Sequence, residues 1–167
     1  LTSKDKLNIG VVLDDLALIE EFNAYDYLKF VGNIYNIPAS ELAHRIKGLF
    51  SFFYEDLTVL KKSISSYSTG MKKKLAFCAA VIHTPSILIL DEPFSGLDPL
   101  VANQMLEFIK AYAKEDRVIF LSSHDLNYVE KIATHLGVID EQKLIYNASI
   151  KEFTENGIQS LDQALLK

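Results

Sequence analysis

Two four-residue runs without a polar side chain, Ile-Leu-Ile-Leu at 87–90 and Val-Ile-Phe-Leu at 118–121, constrain this chain most. Such runs, lacking alternation, suit strands covered on both faces in a parallel sheet. Between them, Asp98 followed by Pro99 marks a helix start, because an Asp side chain caps free N–H groups and proline is tolerated at the first helical position. That helix is expected to reach about residue 114. A helix over 126–133 then leads to a third strand at 136–139, with 144–146 as its hairpin partner across Glu141 and Gln142. Strand, helix, strand, helix, strand is the alternation of an α/β fold.

Before Pro85 the period is different. Tyr27, Phe30, Val31 and Ile34 recur at helical spacing, which predicts an amphipathic helix over 23–36, ended by Pro38. Ser40 is the expected cap of a second helix, with Leu42, Ile46, Leu49, Phe50 and Phe53 as its apolar stripe and Arg45 and Lys47 on the wet side. A third periodic segment covers 71–84. In the tail, Ser149 with Glu152 and Ser160 with Gln163 have capping-box spacing and predict two short helices.

At 167 residues the chain has the size of one domain, and 49% apolar against 23% charged residues excludes wholesale disorder. The balance of 22 acidic to 17 basic residues, with no basic run longer than Lys72 to Lys74, argues against a nucleic-acid partner. That Lys run reads as a solvated face. The single cysteine, Cys78, allows no internal disulfide and no zinc pair; it reads as core packing in a reducing compartment. The longest apolar run, 75–82, is far short of the roughly 20 residues that cross a bilayer, and the N-terminus lacks the basic-then-apolar order of a signal peptide.

Three places could carry chemistry, and each also has a plain structural reading. Asp91 and Glu92 end the first apolar run, at the carboxyl edge of the expected sheet, where α/β proteins bind ligands. An Asp there can hold Mg²⁺ and a neighbouring Glu can orient or deprotonate water for phosphoryl transfer; equally, acids mark strand ends. Ser68-Thr69-Gly70-Met71 opens the third helix, either as an anion site for a terminal phosphate or as an ordinary cap. His124 follows the second run as Asp91 follows the first, so it is expected on the same edge, as a donor to a phosphate and to Glu92 or as a capping or core histidine. His44, His83 and His135 receive no role.

Taken in order, Ser-Tyr-Ser-Thr-Gly-Met-Lys at 66–72, Ile-Leu-Ile-Leu-Asp-Glu-Pro at 87–93, Ser-Gly-Leu-Asp at 95–98 and Leu-Ser-Ser-His at 121–124 resemble the ATP-binding subunit of an ABC transporter. The resemblance runs from about Ile9 to Phe153. It implies that Ser68, Thr69, Gly70 and Met71 are the signature that closes on ATP held by a second subunit. By the same resemblance Asp91 and Glu92 are the Walker B pair, with Asp91 a metal contact and Glu92 catalytic. Ser95 to Asp98 match the D-loop, which puts Ser95 and Asp98 at the ATP, and His124 matches the catalytic switch histidine. Aligning Ile9-Gly10 puts Asp14 or Asp15 where the family's Q-loop glutamine contacts Mg²⁺ and the membrane partner, which makes Asp14 a second metal candidate.

No G-x-x-x-x-G-K-[ST] string occurs among the seven glycines. The chain is therefore expected to be truncated at its front, to be inactive alone, and to hold a partial P-loop NTPase core with a parallel sheet and an inserted helical subdomain. The expected parts are residues 1–22 as a remnant of the ATPase core with the Q-loop-like segment, 23–84 as the helical subdomain, 85–148 as the second half of the core, and 149–167 as tail helices. The resemblance implies ATP and Mg²⁺ as cofactors, a second ATP-binding subunit and a transmembrane permease as partners, and a place on the inner face of the cell membrane. The segment around Tyr67 to Leu75 and the acidic Q-loop lean toward exporters. The rival readings are a soluble ABC-type ATPase in translation or DNA maintenance and a non-catalytic ABC-like regulatory domain.

Overall fold

The two apolar runs are parallel neighbours. In the computed structural model, which describes residues 2–113, 116–154 and 160–165, they become β2 (Ile87–Asp91) and β3 (Val118–Ser122), paired from Ile87 with Val118 to Asp91 with Ser122. A further strand, β1 (Ile9–Val12), pairs parallel on the other side of β2, from Ile9 with Ile87 to Val12 with Leu90. The fold class is thus α/β, with a parallel sheet ordered β1-β2-β3. The register sets the carboxyl ends of all three strands side by side.

The expectation that both faces are covered is corrected. Leu88, Leu90 and Val12 are buried, while Val118 is 60% and Phe120 67% exposed. Among the described residues, one face of the sheet meets the helices and the other carries exposed apolar side chains. The chain divides into two units, Leu1–Ser122 and Ser123–Lys167.

In the first unit, α1 (Ser3–Lys6) precedes the sheet, and the helices that follow β1 are α2 (Ala24–Ile34), α3 (Ala39–Phe53), α4 (Thr69–Val81) and α5 (Pro99–Tyr112). Asn23 caps α2 by accepting from the Asp26 N–H. The predicted stripe of α2 is not the buried one: Ala24, Leu28 and Gly32 are buried, whereas Phe30 and Ile34 are exposed. Small residues decide this, because a Cβ on Gly32 would lie 2.3 Å from Leu42 Cδ1, so α3 packs against bare backbone.

α3 begins at Ala39 after Pro38, which makes no side-chain cap bond, so Ser40 sits inside the first turn instead of capping it. Its stripe of Leu42, Ile46, Phe50 and Phe53 is buried as expected. Arg45 is not simply wet: it donates to the Ile82 carbonyl at 2.6 Å and pairs with Glu41. Phe53, Phe77 and Phe108, from α3, α4 and α5, form one aromatic cluster with ring centroids 5.0 to 6.2 Å apart. Asp98 caps α5, accepting from the Leu100 and Val101 N–H groups at 3.0 Å each. The helix closes at Tyr112, and Lys114 lies outside the described residues.

The second unit holds α6 (Leu126–Ile132), β4 (His135–Asp140), β5 (Lys143–Ser149), α7 (Ile150–Phe153) and α8 (Leu161–Leu165). The expected third strand, β4, does not extend the parallel sheet; it pairs antiparallel with β5 as a separate hairpin. Its turn residues Glu141 and Gln142 have φ of 43° and 64°, the left-handed pair that a two-residue hairpin turn requires. Both capping boxes form: Ser149 with Glu152, and Ser160 with Gln163.

Candidate functional site

The site begins at the carboxyl end of β2. Asp91 Oδ1 accepts a hydrogen bond from the Ser122 hydroxyl at 2.5 Å, across the last register pair of β2 and β3. Glu92 follows with φ of +45°, in the left-handed region, at a cost of about 1–2 kcal/mol for a residue with a Cβ. Its N–H donates to the Ser122 carbonyl at 3.1 Å, and its own carbonyl accepts from the Ser95 N–H at 3.2 Å. A second turn, from the Leu97 N–H to the Phe94 carbonyl, and Gly96 at φ of +69° bring the chain to the Asp98 cap. The adjacent acids therefore differ in setting: Asp91 is strand-bound and exposed, Glu92 lies in a strained turn.

The segment from Ser68 to Met71 is built around a helix start. Ser68 has extended backbone and accepts from the Met71 N–H at 3.3 Å, which makes it the N-cap of α4. Thr69 and Gly70 lie in the first turn, whose N–H groups have no acceptor within the helix and favour an anion. A Cβ on Gly70 would meet Val101 Cγ1 at 3.7 Å and Leu97 Cδ2 at 3.8 Å, ordinary contacts; the fold of this unit does not itself demand glycine there. The Met71 carbonyl is held by the Tyr54 hydroxyl at 2.8 Å. Burial raises the Tyr54 phenol, and pushes that of Tyr67, bonded to the Val59 carbonyl at 2.6 Å, up to about 12.

The Lys run is not a solvated face. Its three side chains go to three places: Lys72 pairs with Glu20 at 2.5 Å, and Lys74 donates to the Phe53 carbonyl at 3.0 Å. Burial lowers the Lys74 ammonium, with the Asp98 charge acting in the opposite direction. Lys73 is buried, and its ammonium donates to Asp14 Oδ1 at 3.2 Å, the Glu92 carbonyl at 3.0 Å and the Ser95 carbonyl at 2.7 Å. Sequence reasoning missed Lys73. Its apolar neighbours at helical spacing, Phe77 and Ala80, were the available signal that this face of α4 turns inward.

Asp14, Glu92 and Ser95 are thus gathered around one cation, and Asp91 stands beside them in sequence with a different partner. Asp91, with the Ser122 hydroxyl, suits Mg²⁺ as an exposed hard-oxygen set at a sheet edge. Asp14 has a cation already in the chain. Cys78 is fully buried, and its thiol is pushed up by burial, which fits packing. His124, exposed in the bend between β3 and α6, belongs to the second unit. His83 walls a cavity of about 270 Å³ with Val11, Leu16, Tyr27, Val31 and Tyr35. Its ring stacks on Tyr35 at 3.7 Å and its Nε2 meets the Ile9 carbonyl at 3.2 Å. No helix among the described residues is long and apolar enough to cross a membrane.

Residues 10–130 match the family described as "AAA domain, putative AbiEii toxin, Type IV TA system". The chain is 33% identical over 145 residues to the linearmycin resistance ATP-binding protein LnrL of Bacillus subtilis, covering 86% of this chain and 46% of that protein. It is 31% identical over 162 residues to the lantibiotic transport ATP-binding protein SrtF of Streptococcus pyogenes, covering 96% and 66%. Over 86 residues it is 44% identical to the bacitracin transport ATP-binding protein BcrA of Bacillus licheniformis, covering 51% and 28%. A solved structure described as an ATP binding subunit of an ABC transporter has the same fold, with a TM-score of 0.85 at 23% identity over 98% of this chain and 70% of that one. The chain belongs to this AAA-domain family, and the relatives it matches over most of its length are ABC transporter ATP-binding proteins. It spans 46% of the first of these relatives and 66% of the second.

Proposed function

We propose that this chain forms part of an ATP-hydrolysing subunit that powers an ABC exporter. The observation that carries the reading is the tie between the start of α4 and the end of β2: the Ser68-capped helix and the Asp91-Glu92 turn are joined by Lys73 in one unit. In this reading Asp91 holds Mg²⁺ on the nucleotide and Glu92 orients and accepts a proton from the attacking water, general-base work at the carboxyl edge of a sheet. Ser68, Thr69, Gly70 and Met71 present a helix start to the γ-phosphate of ATP bound by a second such subunit, with Ser95 and Asp98 beside it. His124 is read as the switch histidine, a donor to the γ-phosphate of the nucleotide on which Asp91 and Glu92 act. Bound Mg²⁺ supplies charge neutralisation for phosphoryl transfer.

Residues 1–22 and 85–148 serve as ATPase core, 23–84 as helical subdomain and 149–167 as tail. The apolar cavity beside the Asp14 segment supports a docked membrane permease, which would hold the protein at the inner membrane face. The relatives named for linearmycin resistance, lantibiotic transport and bacitracin transport support an exporter. The test is phosphate release from Mg-ATP by the intact protein reconstituted with its permease. Turnover stimulated by permease and substrate is expected; absence of turnover in the assembled complex overturns the reading.

A further inference from the structure

We propose that Lys73 is a positioning residue, whose ammonium fastens the Glu92 turn, the Ser95 carbonyl and the Asp14 segment to the signature helix so that all four move as one body. The role given to Glu92 rests on the ATPase reading; the fastening itself does not.

An ammonium has three N–H donors and no acceptor. Lys73 finds three oxygens, Asp14 Oδ1 at 3.2 Å, the Glu92 carbonyl at 3.0 Å and the Ser95 carbonyl at 2.7 Å, so its donors are all used. Its side chain is 6% exposed, and a buried cation without such partners is costly, so the arrangement is specific to lysine's length and charge. Asp14 is 53% exposed, which makes that arm a screened ion pair and leaves the two carbonyls as the firmer attachments.

The consequence falls on Glu92. Its backbone stands at φ of +45° and needs to be over-determined to stay there. The Ser122 carbonyl holds its N–H from one side, and the Lys73 ammonium, with the Ser95 N–H, holds its carbonyl from the other. Lys73 lies five positions beyond the Ser68 cap, on the same rigid helix. A shift of the helix start on contact with phosphate is therefore carried to the Glu92 turn and to Asp14 through one side chain. Lys73 touches no reacting atom in this scheme; it acts through Glu92.

The test uses Lys73→Met, which keeps the stem and removes the charge, and Asp14→Asn, a change at a half-exposed position, in the intact protein. Amide hydrogen exchange is read over residues 13–16 and 94–97, alongside kcat and KM for ATP. For Lys73→Met, exchange is expected to rise roughly tenfold or more in both segments, in line with the loss of charge-assisted hydrogen bonds. Its kcat should fall by a similar factor with KM for ATP changed less than about twofold, because the phosphate contacts remain. Asp14→Asn should loosen 13–16 alone. Parental exchange in 94–97 for Lys73→Met overturns the proposal whatever the turnover. Should Lys73→Met not fold, Asp14→Asn decides through its own arm, and parental exchange in 13–16 overturns it. An inactive parent with the expected exchange pattern refutes the ATPase reading and leaves the fastening intact.

Discussion

The Ser122 hydroxyl donates to Asp91 Oδ1 across the register pair that ends β2 and β3, and one residue later Glu92 has left the strand for a left-handed turn. Under the proposed function, adjacent acids with such different anchoring are expected to give different mutant phenotypes. Asp91→Asn is expected to weaken Mg-dependent nucleotide binding as well as turnover. Glu92→Gln removes the proposed base while keeping size and hydrogen bonding, so turnover should vanish while ATP binding and ATP-dependent dimerisation persist. His124→Ala should resemble Glu92→Gln. Single-turnover hydrolysis and nucleotide-dependent gel filtration read all three, and near-parental turnover of Glu92→Gln removes it from the proposed position.

Gly70 separates fold from function. A Cβ added there would make only ordinary contacts, the nearest at 3.7 Å, so Gly70→Ala should keep thermal stability within about 1 kcal/mol of the parent. Gly70→Asp also folds, but places a carboxylate where the proposed γ-phosphate approaches, and ATP-driven dimerisation should be lost. Dimerisation of Gly70→Asp equal to the parent would reduce Gly70 to a helix-start residue.

Gly10 is the opposite case. A Cβ there would stand 2.3 Å from the Ala80 carbonyl oxygen, a backbone atom of α4 that has no rotamer to change. Gly10→Ala is expected to destabilise the protein by roughly 1–3 kcal/mol, the range for overpacking. Urea unfolding followed by circular dichroism measures it, and an unchanged midpoint contradicts the close approach of β1 and α4.

His83 adds a pH dependence. Burial lowers its imidazole below the ordinary value of 6.5, with the Ile9 carbonyl bond opposing and Arg45 assisting. Its Nδ1 is buried without a hydrogen-bond partner among the described residues, as suits the neutral ring whose Nε2–H donates to the Ile9 carbonyl. In the unfolded chain the ring binds a proton more readily, so its neutral burial is without penalty above about pH 6.5 and stability falls as pH drops below that value toward the folded pKa. His83→Phe keeps a ring against Tyr35 and should flatten that part of the stability profile, measured by urea midpoints from pH 7.5 down to about 5.

Much of the local structure was legible because its determinants lie within a few residues of one another. The Ser68 and Asp98 caps, both tail capping boxes and the Glu141-Gln142 turn each join atoms at most three positions apart, so sequence spacing reports them directly. The order of signature, Asp91-Glu92, Ser95 to Asp98 and His124 likewise pointed to the family before any tertiary contact was known. Less legible were faces: an apolar run at β3 could not reveal that Phe120 is left exposed, nor helical spacing that α2 turns Ala24, Leu28 and Gly32 inward instead of Phe30 and Ile34.

The sequence by itself determined most of the element types, the capped starts of α4 and α5 and the residues available for phosphate chemistry, since dihedral preferences, caps and period are short-range. The tertiary structure alone decided what those residues meet. Lys73 and Asp14 are 59 positions apart, and Lys73 is buried because the Asp14 segment and the 92–95 turn supply oxygens at the one place where its ammonium ends. Arg45 reaches Ile82 across 37 positions for the same reason. A buried charge is tolerated only where distant segments converge on it, and convergence is a property of the packed chain, with no trace in local spacing.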